Sequence, residues 1–142
     1  MTAKEFLKQY EQADRKVKRL IREYEDERLM IDAVRSLSDN DGLPHGNGIN
    51  KPVEDRAVRL ADKAAALADA RLEAVEIRQA VYDVIEMVGG READVLFYRY
   101  VMLNTWREIE ETLFYSWTKI RNLHQSGLEK TSEIINKTRI NN

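Results

Sequence analysis

The sequence predicts an all-α protein: a long antiparallel coiled-coil helical hairpin followed by a C-terminal helix-turn-helix module. Three observations carry that reading. Two apolar stripes of helical period run over residues 3–37 and 53–88. A stretch rich in Gly, Pro, Asn and Asp separates them. Beyond Gly89-Gly90 the aromatic residues concentrate and the helical segments shorten.

Composition sets the outer limits. The 142 residues suit one domain, or one domain with a helical arm. A charged fraction of 34% with only two prolines favours a helical chain that stays in water. No run approaches the ~20 apolar residues that span a bilayer, so no membrane partner is expected. The charged N-terminus, "MTAKEFLKQYEQADRKVKRL", is unlike a secretory signal. The absence of cysteine removes disulfides and thiolate metal sites, and a cytoplasmic location is the simplest expectation.

The first element is a single helix over 3–37, within a coiled-coil segment 1–37. Phe6, Tyr10, Ala13, Val17, Leu20, Tyr24, Ile31 and Val34 follow alternating four- and three-residue steps, with Glu27 as the one polar interruption. Residues 38–52 form a linker loop, within "SLSDNDGLPHGNGINKP", whose residue types favour turns. It lacks the spacing of a phosphate-binding loop, and His45 within it has no evident role. The second helix occupies 53–90, with its stripe at Val53, Ala57, Leu60, Ala64, Leu67, Ala74, Val81, Ile85 and Val88. Gly89-Gly90 ends it, because glycine enters the left-handed conformation freely. A stripe shared by only two helices leaves much surface uncovered. The arm is therefore expected to form a homodimer or hold a partner.

The module 91–142 divides into three helices. The first runs from Arg91 to Met102, with Val95, Leu96, Tyr98 and Val101 as candidates for its inward face. "LN" breaks it, with Asn104 suited to the turn. Thr105 and Glu108 form a T-x-x-E capping box for a short helix, Trp106 to Thr112. "LFY" makes the next turn, and Ser116 caps a third helix that runs to Asn136 or beyond. A short helix, a tight turn and a second helix make a helix-turn-helix. Ile109, Leu113, Tyr115, Ile120 and Leu123 supply its inner contacts.

The outer positions carry the chemistry of base reading. Asn122 and Gln125 can pair bidentately with adenine, Arg121 with guanine, and Thr118 can touch a thymine methyl. Ser116 and Trp117 stand at the entry of the same helix. Trp117 is open between packing on the arm and touching DNA. Arg107 and Lys119 suit phosphates, which set register without reading sequence. The overall net charge is −2, but residues 115–142 hold five basic and two acidic side chains. Trp106 reads as core, and His124, at the apolar edge of the third helix, as a structural histidine.

The stretch "VLFYRYVMLNTWREIEETLFYSWTKIRNLHQSGLEK" resembles region 4 of bacterial sigma factors. Arg99-Tyr100, Thr105 to Ile109, Ser116, Ile120, Leu123-His124 and Leu128 match that pattern. With its helical N-terminal half, the whole chain is similar to small sigma-like proteins of phages and prophages, including late-gene activators of the RinA and ArpU type. The resemblance implies a transcription regulator on double-stranded promoter DNA, with RNA polymerase as a candidate partner. Glu110 and Phe114 depart from it, standing where the family has alanine and glycine. The alternatives are a phage DNA-packaging protein like a small terminase subunit, and a helical protein-interaction module.

No catalytic set is visible. Two histidines far apart, with no cysteine, offer no metal-ligand spacing. No nucleophile stands beside a base, so no enzyme activity, cofactor or metal is expected.

Overall fold

The computed structural model describes residues 1–39 and 47–140. All regular structure among them is helical. In chain order the elements are α1 (Ala3–Leu7), α2 (Gln9–Asp39), α3 (Asn47–Val88), α4 (Gly90–Leu96), α5 (Trp106–Leu113) and α6 (Trp117–Ile140), with a π-helical turn, Phe97–Val101, continuing α4. None is long and apolar enough to cross a membrane. The chain divides into two compact units, residues 1–14 with 74–142, and residues 15–73.

Parts of the expected linker, 38–52, are helical. Helix α2 continues to Asp39, and α3 begins at Asn47 rather than Val53. Residues 40–46 of the expected linker, with His45, lie outside the described residues.

In the 15–73 unit, α2 and α3 run antiparallel. Lys16 near the start of α2 pairs with Glu73 at 3.8 Å, while Glu27 further along pairs with Arg56 and Lys63 at 3.5 and 3.7 Å. The α2 seam faces inward as expected, from Val17 to Val34. The α3 seam is a correction. Val53, Leu60 and Leu67 face inward, but the intervening places belong to Arg56, Lys63 and Ala70, while Ala57 and Ala64 are exposed. Glu27 supplies the reason. It is buried, and a buried carboxylate demands cations. The polar interruption in one seam is thus matched by two in the other. Glu27 Oε1 makes no hydrogen bond within the chain, so its link to Arg56 is Coulombic.

The other unit holds more than the expected 91–142 module. Residues 1–14 and 74–90 join it, because Leu7 of α1 and Val81 and Ile85 of α3 share one core with Leu96, Tyr100 and Val101. Helix α1 is fixed by a capping box that sequence reading missed: Thr2 N–H donates to the Glu5 carboxylate at 2.8 Å, and Glu5 N–H to Thr2 Oγ1 at 3.2 Å. The helix foreseen over 3–37 is irregular at Lys8, yet Lys8 N–H still donates to the Lys4 carbonyl at 3.0 Å. Gly89 and Gly90, at φ +67° and +65°, separate α3 from α4.

Two neighbouring residues of α4 face different cores. Leu96 belongs to the core just described, and Val95 packs with Ile109 and Ile120. Helix α6 lies close against α4. A Cβ at Gly127 would stand 3.1 Å from Leu96 Cδ1 and 3.2 Å from its Cγ. Glu92 of α4 accepts from Ser126 Oγ and Lys130 Nζ, each at 3.1 Å, on either side of that glycine.

The expected regular helix to Met102 instead widens at Phe97. Met102 N–H donates to the Phe97 carbonyl at 3.0 Å and Asn104 N–H to that of Tyr98 at 2.9 Å. The wider turn buries the adjacent Tyr100 and Val101 together. Leu103, at φ 59°, takes the left-handed residue of the break, not Asn104.

Gly127→Val is expected to destabilise the protein by ~1–3 kcal/mol, the usual cost of overpacking a core. Thermal unfolding followed by circular dichroism measures it. An unchanged midpoint would mean that α6 has room to move off α4.

Candidate functional site

The site begins with how α5 and α6 are held. Thr105 caps α5, accepting from Glu108 N–H at 3.2 Å. The expected reciprocal half of the box is absent: the Glu108 carboxylate accepts the Thr105 hydroxyl proton at 3.0 Å instead. Phe114 ends α5 at φ 56° and ψ 38°, donating its N–H to the Glu110 carbonyl at 3.0 Å. This is a left-handed turn, a conformation that glycine takes at no steric cost. The Phe114 side chain is 90% exposed, so it gains little from packing there. Ser116 then caps α6, accepting from Lys119 N–H at 3.3 Å.

Ile109 and Ile120 are fully buried against Val95, with Leu113, Tyr115 and Leu123 packed around them. Burying Ile120 settles which side of α6 faces water. Thr118, Arg121, Asn122 and Gln125 are all exposed, and their spacing of three, one and three residues places them on one helical face. Ser116 and Trp117 are exposed at the head of that face. Six of the eight residues singled out from sequence therefore share the start and outer face of α6.

The two proposed phosphate contacts differ. Arg107 is exposed on α5 and pairs with Glu111 at 3.5 Å. Lys119 is half-buried, its ammonium 4.0 Å from the centre of the Tyr115 ring, and so stands at the edge of the outer face.

Trp117 resolves in part. It meets Trp106 edge to face at 5.6 Å and remains 45% exposed, so it packs on α5 while keeping an open edge. Trp106 is in turn covered by the Arg99 guanidinium, 4.3 Å from its ring centre. Arg99 also donates to the Asn104 carbonyl at 3.0 Å, tying the left-handed break to α5.

Behind the face stands a polar pair that sequence reading missed. Tyr100 and His124 lie 2.7 Å apart, from hydroxyl to Nε2, with their rings stacked. His124 also meets Trp106 edge to face at 4.9 Å. Burial pushes His124 down to about 4, helped by Lys4 and Arg99, and burial pushes the Tyr100 hydroxyl up to about 12. Both groups are therefore neutral at pH 7. The Tyr100 hydroxyl and His124 Nε2 therefore share one hydrogen bond, whose donor is set by the imidazole tautomer. These partners are 24 residues apart, and no local spacing announces the pair.

Among the described residues, no group of three or more His, Asp or Glu is placed to hold a metal ion. The chain matches no family model, no curated protein and no solved structure.

The folded protein binds the His124 proton only near pH 4, whereas an unfolded chain binds it near 6.5. The stability linked to His124 is therefore fully present above pH 6.5 and is lost as pH falls towards 4. Urea unfolding at several pH values should show that loss in the parent and a smaller one in His124→Gln. Equal losses would place the acid sensitivity elsewhere. Separately, Phe114→Gly should raise stability by up to ~1 kcal/mol. Relief of a left-handed side-chain residue, worth about 1–2 kcal/mol, outweighs the added flexibility of the unfolded chain. A drop in the unfolding midpoint would show that the ring is packed.

Proposed function

We propose that this chain is a non-catalytic, sequence-specific DNA-binding transcription regulator of phage or prophage type. In this reading α5, the turn at Phe114 and α6 form a helix-turn-helix similar to sigma region 4, and α6 enters the major groove of promoter DNA. The observation that carries it is the exposed row Thr118, Arg121, Asn122 and Gln125, opposite the buried Ile120. These are the side chains that discriminate base edges, near the beginning of a helix, where such motifs read sequence. The first turn of α6 holds no acidic residue, so the positive end of its dipole is unopposed by its own side chains. Arg107 and Lys119 flank the row and supply phosphate contacts. RNA polymerase is a candidate partner through the family resemblance.

The test is a mobility-shift titration on fragments of the source replicon across a salt series. One fragment should be retained against competitor DNA, with an affinity that falls steeply with salt. Arg121→Ala and Asn122→Ala should each weaken that complex by ~1–3 kcal/mol. Lys119→Ala should weaken all fragments alike and lower the salt slope by about 1. Binding that ignores both Arg121→Ala and Asn122→Ala would remove α6 as the reading helix. The absence of any binding would remove the function.

A further inference from the structure

Helix α3 carries a second apolar line outside its buried seam, with Ala68 bordering the groove that Ile21, Tyr24 and Arg28 of α2 also line. Val58, Ala61, Ala65, Ala68 and Leu72 follow steps of three, four, three and four residues, and all are exposed. Val58 and Leu72 are 62% and 61% exposed. The inward seam, Val53, Arg56, Leu60, Lys63, Leu67 and Ala70, keeps the same period. At 3.5 residues per turn the two lines lie roughly 150° apart around α3. The outer line is therefore no spill-over from the inner one. A 3.5-residue period is the signature of a surface matched to another helix, and its alanines allow a close approach of backbones.

The flanking charges choose the partner. Asp62 and Asp69 border the line on one side, and Ala64 and Arg71 on the other. A copy of α3 laid antiparallel along the line would set Asp62 beside the partner's Asp69. A parallel copy instead lays the flank that holds Arg71 against the partner's acidic flank. We infer that residues 58–72 of α3 form a parallel, in-register homodimer contact along this line. A twofold axis then runs beside the helix, and each line residue meets its own counterpart. This contact is independent of DNA binding, and the expected homodimer arm acquires a defined face and direction.

The 142-residue chain, which has no cysteine of its own, allows a direct test. Under mild oxidation with oxidised glutathione, Ala68→Cys should form a reducible covalent dimer, because the two thiols meet at the axis. Ala66→Cys, off both lines, should not. Sedimentation equilibrium of the parent should approach twice the 16.6 kDa chain mass as concentration rises. Leu72→Lys should return it to the single-chain mass with an unchanged helical spectrum, since that side chain lies outside the core. A parent that stays monomeric overturns the inference. So does a dimer that tolerates Leu72→Lys, or one that cross-links equally at both cysteine positions.

Discussion

The close approach of α6 to α4 is the contact on which the outward face of α6 depends. Two helices can lie this near only where one of them lacks a side chain, and Gly127 against Leu96 is that place. Glu92 reinforces the approach by gathering Ser126 and Lys130 around the glycine. Once α6 is seated there, Ile120 must enter the core shared with Val95 and Ile109. The opposite row must then face water. A well-packed interior transmits such placements because its side chains cannot slide by a methyl group without loss.

Helix α4 is short, yet it serves two cores. Leu96 and Val95 are successive residues, and a helix turns about 100° between them. That angle is enough to give each its own cluster. The π turn that follows adds a second displacement and brings Tyr100 into contact with His124. The wider turn keeps Tyr100 and Val101 buried and leaves Arg99 to cover Trp106.

The α2–α3 pair is set by a different constraint. Glu27, Arg56 and Lys63 occupy places that apolar residues would fill more favourably. Buried ion pairs seldom add net stability, because the loss of hydration offsets the attraction. Their value lies in discrimination. A slide of one helix by a heptad would leave Glu27 facing only one of its two cations, because Arg56 and Lys63 are themselves seven residues apart. The register of the pair therefore follows from charge, while its adhesion comes from Leu60, Leu67 and Ile31.

Much of this was legible locally. The helical class, the stop at Gly89-Gly90, the caps at Thr105 and Ser116, and the inward Ile109 and Ile120 all follow from periodicity and short-range hydrogen bonding. Those signals act within a few residues, so the sequence by itself determined them. The left-handed turn at Phe114 had no local signal of its own, because glycine was expected there only through the resemblance to sigma region 4. The choice of Arg56 and Lys63 over Ala57 and Ala64 was not legible. It depends on Glu27, which reaches α3 only after the helices have paired. The joining of residues 1–14 to the C-terminal helices, and the Tyr100–His124 hydrogen bond, were equally hidden, since each depends on groups far apart in the chain. Tertiary structure decided these, because burial of a charge or a hydroxyl is defined only once distant segments have closed around it.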